Sequence, residues 1–232
     1  MTFAEILAEK GAEAGLSFTP LQLEQFSRYY ELLVETNKVM NLTAITEPEE
    51  VAVKHMVDSL LVYEAEMAGK TLADVGTCAG LPGAPLKVTL IDSLGKRLRF
   101  LQQVIEELGL KGIRCEHLRA EDAGRDKKHR EKYDYVTARA VARLSVLSEY
   151  CLPLAKKGGQ FIALKGSKFA EEITEGEAAV KILGGKIISA EPVKLPGLDD
   201  GRAIIKIAKI KTTPAQYPRK AGTPEKQPLG AK

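Results

Sequence analysis

The chain is 232 residues long, 44% hydrophobic and 28% charged, which fits one sizeable domain with a small appendage and excludes disorder over its whole length. Aromatic residues make up 6% and tryptophan is absent, which argues against a surface built mainly of stacking aromatics. The net charge of +3 hides an asymmetry: residues 1–69 hold four Lys/Arg against twelve Asp/Glu, whereas residues 202–232 hold eight basic side chains and one acid, a basic end that reads either as a polyanion contact or as a solubilising tail.

The first residues carry Glu5, Glu9 and Glu13 and lack a basic start and an apolar run, so no secretory leader is expected. Thr19-Pro20 reads as an N-cap with proline at the first helical position. Leu23, Phe26, Tyr30 and Leu33 then recur at helical spacing, and the helix should end near Asn37. After the loop Asn41-Leu42-Thr43, Thr46 and Glu49 suggest a capping box opening a second helix to about Met67. Two helices ahead of any strand imply an N-terminal helical cap over 1–69.

From Thr71 the texture changes. TLADV is a short buried strand, GTCAGLPG a glycine-rich loop, and KVTLID a second strand ending in Asp92. Leu94 to Leu108 has helical spacing and stops at Gly109. GIRCEH, YDYVTAR and GGQFIALKG read as the third, fourth and fifth strands, with helices over Leu144–Leu154 and Lys168–Leu183. KIISAEPVKL and RAIIKIAKI are alternating strands joined by PGLDDG, an antiparallel hairpin at the sheet edge. The fold class is α/β, a parallel sheet covered by helices on both faces over 70–211. Residues 212–232, rich in proline and basic side chains, are expected to be extended or disordered. No window approaches the ~18 apolar residues of a membrane span. Cys78, Cys115 and Cys151 are too widely spaced for a disulfide framework or a zinc site, so a reducing cytoplasm and no metal are expected.

In such a sheet the ligand crevice lies beyond the carboxyl ends of the strands. Gly76, Gly80 and Gly83 let backbone approach a ligand where a Cβ would clash. Asp92 ends the second strand, where an ionised carboxylate, which only accepts, suits the two hydroxyls of a ribose. Ala120 and Glu121 follow the third strand, where a small residue and an acid could border an adenine and take its amino group. Arg139 ends the fourth strand and Lys165 the fifth. These features fit NAD, FAD or S-adenosylmethionine, but the loop is G-x-C-x-G-x-x-G and not the dinucleotide fingerprint G-x-G-x-x-G.

NLTAI, KHMVDSL, LADVGTCAGLPGAPLK, VTLIDSLGKRLRFL, AED, TARAV, ALKG and PRKAGTPEKQPL, in that order, resemble the glucose-inhibited division protein B family over nearly the whole chain. The resemblance implies a Rossmann-like class I methyltransferase sheet. It also implies methyl transfer from S-adenosylmethionine to N7 of a guanine in small-subunit (16S) ribosomal RNA; a monomer is expected. By motif, Gly76, Leu81, Asp92, Ala120, Glu121 and Arg139 would contact the cofactor. Arg139 and Lys165 would act on the RNA, and Asn41, His55 and Asp58 are weaker candidates for the target pocket. His55 and Asp58 also read as an ordinary surface pair, Asn41 as a turn cap and Lys165 as a solvated strand end. Arg219, Lys220 and Lys226 in the basic tail are expected to meet phosphates.

Two departures stand out. Cys78 replaces the family's usual middle glycine, and about seven residues between Lys87 and Val88 are missing from the family pattern. Only Ala84–Lys87 remain for a crossover helix after the loop, so that helix is vestigial or the second strand pairs differently. The alternative to an enzyme is a non-catalytic RNA-binding relic with a weakened cofactor site; a nucleotide-dependent oxidoreductase is a third reading.

Overall fold

The computed structural model describes residues 1–76 and 86–230. Helix α1 (Phe3–Glu13) opens on a capping box, in which Thr2 Oγ1 accepts from Glu5 N and Glu5 Oε2 accepts from Thr2 N at 2.8 Å. It is an addition to the expected elements. Its buried stripe is one residue wide, Phe3, Leu7 and Gly11, too narrow to register as periodicity. Helix α2 (Pro20–Met40) starts where expected, with Thr19 and Gln22 as a second capping box, and runs three residues past Asn37. Asn41 closes it in the left-handed region at φ 47°, so Asn41 is a helix cap.

The next helical stretch corrects the expectation. The capping box at Thr46 and Glu49 does not form: Glu47 is the N-cap, makes no side-chain cap bond, and Pro48 begins α3 (Pro48–Val51). The chain then widens into a π-helical segment, Ala52–Val57, before α4 (Asp58–Leu60), and the helix stops well short of Met67. Such π segments are rare and frequent at functional sites.

Among the described residues seven strands form one sheet: β1 (Thr71–Val75), β2 (Lys87–Asp92), β3 (Ile113–His117), β4 (Tyr133–Arg139), β5 (Ala155–Lys165), β6 (Gly185–Leu195) and β7 (Leu198–Lys209), in the order β3-β2-β1-β4-β5-β7-β6. The first five are parallel; β7 inserts antiparallel between β5 and β6, so the expected hairpin is present with β6 at the edge. β2 lies beside β1 in parallel register, Thr71 opposite Lys87 and Val75 opposite Ile91. The idea that the second strand pairs differently is therefore wrong; the expectations for Cys78, Gly80, Leu81 and Gly83 fall outside the described residues.

Helix α5 (Gly95–Glu107) packs with α1, α2 and the π segment on one face, where Leu72, Val88, Leu90, Leu98, Leu101 and Val104 share a core with Phe26, Tyr29 and Met56. The helices α6 (Ala120–Arg125), α7 (Leu144–Cys151) and α8 (Phe169–Ile182) cover the other face over Ala73, Ile91, Ala138, Phe161 and Ile205. Each fully buried side chain of this size stabilises by roughly 1.5–3 kcal/mol, and the N-terminal helices share that core with the sheet.

The tail is not extended or disordered. Arg130 donates to the carbonyls of Thr213 at 2.8 Å and Tyr217 at 2.7 Å, Arg125 Nε to that of Pro218 at 2.8 Å, and a short helix α9 (Thr223–Lys226) follows. Thr213 is buried beside Lys209, whose ammonium donates to Thr213 Oγ1 at 2.7 Å and Ala155 O at 3.1 Å. Composition could not foresee this, because the contacts are single arginines meeting backbone carbonyls.

Candidate active site

The carboxyl ends of β1, β2 and β4 and the start of α6 enclose a cleft of ≈ 400 Å³. Gly76, Asp92, Ala120, Glu121 and Arg139 all line it, so the structure brings together five of the expected site residues. Gly76 follows β1 at φ +70°, and a Cβ built there would lie 2.4 Å from Val141 Cγ2. Glycine is needed here for both reasons. Asp92 Oδ1 accepts from Leu94 N at 2.7 Å and Oδ2 from Arg97 Nη1 at 2.5 Å. A carboxylate offers about four acceptor positions, so Asp92 can still take a hydroxyl. Glu121, 5% exposed, accepts from the Gly222 amide through Oε1 at 2.9 Å.

Arg139 joins the cleft to the N-terminal helices. Its Nη1 donates to Lys54 O at 2.7 Å and Asp58 Oδ2 at 2.5 Å. Asp58, 2% exposed, accepts a second guanidinium through the same oxygen, from Arg202 of β7 at 2.8 Å. Asp58 is thus no surface residue. The next residue after Arg139, Ala140, lines the cleft at φ 53°, a strained conformation for a side chain with a Cβ.

His55 stands on the π segment with Nε2 3.2 Å from Thr43 Oγ1 and a buried Nδ1 that has no hydrogen-bond partner. Burial, then the nearby Arg139, lower its pKa to about 4, against the opposing pull of Asp58, so the ring is neutral near pH 7. It does not line the cleft.

Lys165 lies apart from the cleft. Its ammonium donates to Ala142 O at 2.7 Å and pairs with Glu172 at 2.6 Å, with the side chain 7% exposed. It is no solvated strand end; it ties the end of β5 to the loop after β4. Arg219 is likewise engaged, since Nε and Nη2 grip both oxygens of Glu149, which is 0% exposed. Lys220 and Lys226 are exposed.

Sequence reading missed Arg202, Arg97, Tyr150, Gly222 and the Glu149 pair. One signal was available: Glu149 is the one charged residue of LSVLSEYC, a helix buried throughout, and an acid there requires a partner. Tyr150 lines the cleft, and burial together with Glu121, Glu225 and Glu149 pushes its pKa up to about 12. Among the described residues no cluster of three or more His, Cys, Asp or Glu could hold a metal, and no helix is long and apolar enough to cross a membrane.

A sheet in the order 3-2-1-4-5-7-6, with its last hairpin antiparallel and a cleft over the carboxyl ends, defines a Rossmann-like methyltransferase fold. Solved structures share it. A chain of a complex between the Haloferax volcanii Trm112 methyltransferase activator and its candidate methyltransferase matches at a TM-score of 0.55 and 11% identity over 78% of this chain and 98% of that one. TrmN from Thermus thermophilus matches at 0.50 and 21% over 66% and 48%. The profile of the family GidB, rRNA small subunit methyltransferase G, matches residues 22–196, and the chain belongs to that family. Ribosomal RNA small subunit methyltransferase G of Lactobacillus johnsonii is 50% identical over 97% of this chain and 99% of its own length. The Exiguobacterium sibiricum protein of the same name is 52% identical over 94% and 96%. The first alignment spans 236 positions, more than the 232 residues here, so that relative holds residues with no counterpart in this chain.

Proposed function

We propose that the chain transfers a methyl group from S-adenosylmethionine to N7 of a guanine in 16S ribosomal RNA. The observation that carries this reading, beside family membership, is the convergence of Gly76, Asp92, Ala120, Glu121 and Arg139 on one cleft. Those residues fit the cofactor. Asp92 retains acceptor capacity for the ribose hydroxyls, Glu121 for an adenine amino group, and Gly76 leaves the backbone bare. When bound, S-adenosylmethionine supplies an electrophilic methyl group on a sulfonium.

Guanine N7 already carries an available lone pair. No side chain has to remove a proton from it, and no metal is required. The chain's contribution is to hold the two partners in line at attack distance. Arg139 supports that task, because Asp58 and the Lys54 carbonyl fix its guanidinium at the cleft wall, where it can meet phosphate or orient the base. Lys165 acts indirectly, by holding the loop at Ala142 behind Arg139. We place the activity in the cytoplasm, on small ribosomal subunits or their RNA, with the chain as a monomer.

The test is incorporation of label from methyl-tritiated S-adenosylmethionine into small subunits that lack the modification. Strand scission after borohydride and aniline then reports N7-methylguanine. Binding of the subunit without incorporation would contradict the reading.

A further inference from the structure

The basic C-terminal segment has the composition of an RNA arm, yet its strongest contacts are made inward. Arg219, the arginine of the PRK motif, is clamped on Glu149, and its backbone amide donates to Glu149 Oε1 at 2.7 Å as well. Pro218 packs so closely on α6 that a Cβ on Gly124 would lie 2.8 Å from its Cγ. These anchors bring Gly222 and Glu225 into the wall of the cleft that also holds Asp92 and Ala120. Gly222 adopts φ +80°, which aims its amide at Glu121 Oε1.

We infer that residues 219–225 are a strap that completes the adenine end of the cofactor cleft, with the Gly222 amide positioning the Glu121 carboxylate. The inference rests on the reading that the cleft takes S-adenosylmethionine. A carboxylate on a short helix can rotate about three side-chain bonds. One N–H fixed on Oε1 selects a single orientation and leaves Oε2 to accept from an amino group. An adenine amino group donates there; a 6-oxo purine presents an acceptor instead and meets the carboxylate lone pair to lone pair. Glu121 therefore reads the purine's donor only while Gly222 holds it. The strap contributes positioning and purine selectivity, with no part in methyl transfer itself.

The test compares S-adenosylhomocysteine with its inosine counterpart by calorimetry on the full-length chain and on two variants. Arg219→Ala removes the anchor. Gly222→Ala leaves the anchors intact and strains only the left-handed turn, since nothing lies within 4 Å of the added Cβ. The unaltered chain should prefer the adenosyl compound by more than about tenfold, because a site built for a donor rejects its absence. Arg219→Ala should weaken adenosyl binding by about tenfold and shrink the preference towards parity, and Gly222→Ala should do the same to a lesser degree. The salt slope of small-subunit binding should not change with Arg219→Ala, because that guanidinium neutralises Glu149 and not a phosphate. If both variants keep the full preference, the strap is not part of the site. If the unaltered chain binds both compounds equally, Glu121 does not read adenine and the inference falls, while the methyltransferase reading stands. If it binds neither, both fall.

Discussion

Each side of the cleft is held by a buried carboxylate that meets arginine from far along the chain, but the two clamps differ in what they hold. Asp58 takes Arg139 and Arg202 and so joins the N-terminal helices, β4 and the closing hairpin. Glu149 takes Arg219 alone, with three side-chain hydrogen bonds and a backbone one, and joins α7 to the tail. The first clamp sets a residue of the cleft directly. The second sets a strap that in turn sets Glu121. A lost partner should therefore damage different ends of the same site.

The largest expected effect comes from Asp58→Ala, which leaves the Arg139 guanidinium without its acid and Arg202 with Asp200 alone. Urea unfolding should show a loss of about 3–5 kcal/mol, the scale for breaking a buried pair, and Asp58→Asn should retain part of it. A loss under about 1 kcal/mol would mean that the pair is solvated and fixes nothing. Arg139→Lys sharpens the comparison from the other partner. Lysine keeps the charge but cannot bridge Lys54 O and Asp58 while lining the cleft. Methyl transfer should fall about 100-fold in kcat/KM, with the affinity for S-adenosylhomocysteine changed far less.

The Asp58 side also carries a pH effect in the acid range. His55 has a folded pKa of about 4 against 6.5 for the free side chain, so the fold favours the neutral ring. Above pH 6.5 that preference contributes fully. As pH falls from 6.5 towards 4 the unfolded chain takes the proton first, and stability drops, by on the order of 2–3 kcal/mol. His55→Phe should flatten this window in denaturant midpoints; an unchanged profile would place the titration elsewhere. The smallest effect is expected for Lys165→Met. Losing the Glu172 pair and the Ala142 bond should cost about 1–2 kcal/mol, and the salt slope of RNA binding should stay the same. A flatter slope would restore Lys165 as a phosphate contact.

The contrast between the clamps also shows what a sequence reveals. Strands β1, β2 and β5 were legible because buried apolar residues stand beside glycine or proline punctuation, and the motif residues Gly76, Asp92, Ala120, Glu121 and Arg139 fall at the ends of the first four strands by topology. Local chemistry suffices there. Helix α6 was not separated from the loop after β3, because six residues carry too little periodicity. The partners of Lys165 and Arg219 were not legible for a different reason. Both have the charge of a phosphate ligand, and the acids that occupy them, Glu172 and Glu149, become neighbours only when the chain folds. The shortened crossover was visible as a count of residues. Its consequence for pairing was not, and β2 keeps its place beside β1.

The central claim is that this cleft grips an adenosyl group with Asp92 on its sugar. Calorimetry of S-adenosylmethionine with the unaltered chain and with Asp92→Ala tests it most directly. The account predicts micromolar binding that weakens by more than about tenfold in the variant, as for the loss of charge-assisted hydrogen bonds worth ~1.5–3 kcal/mol each. Equal affinity in the two chains, or none in either, would contradict it.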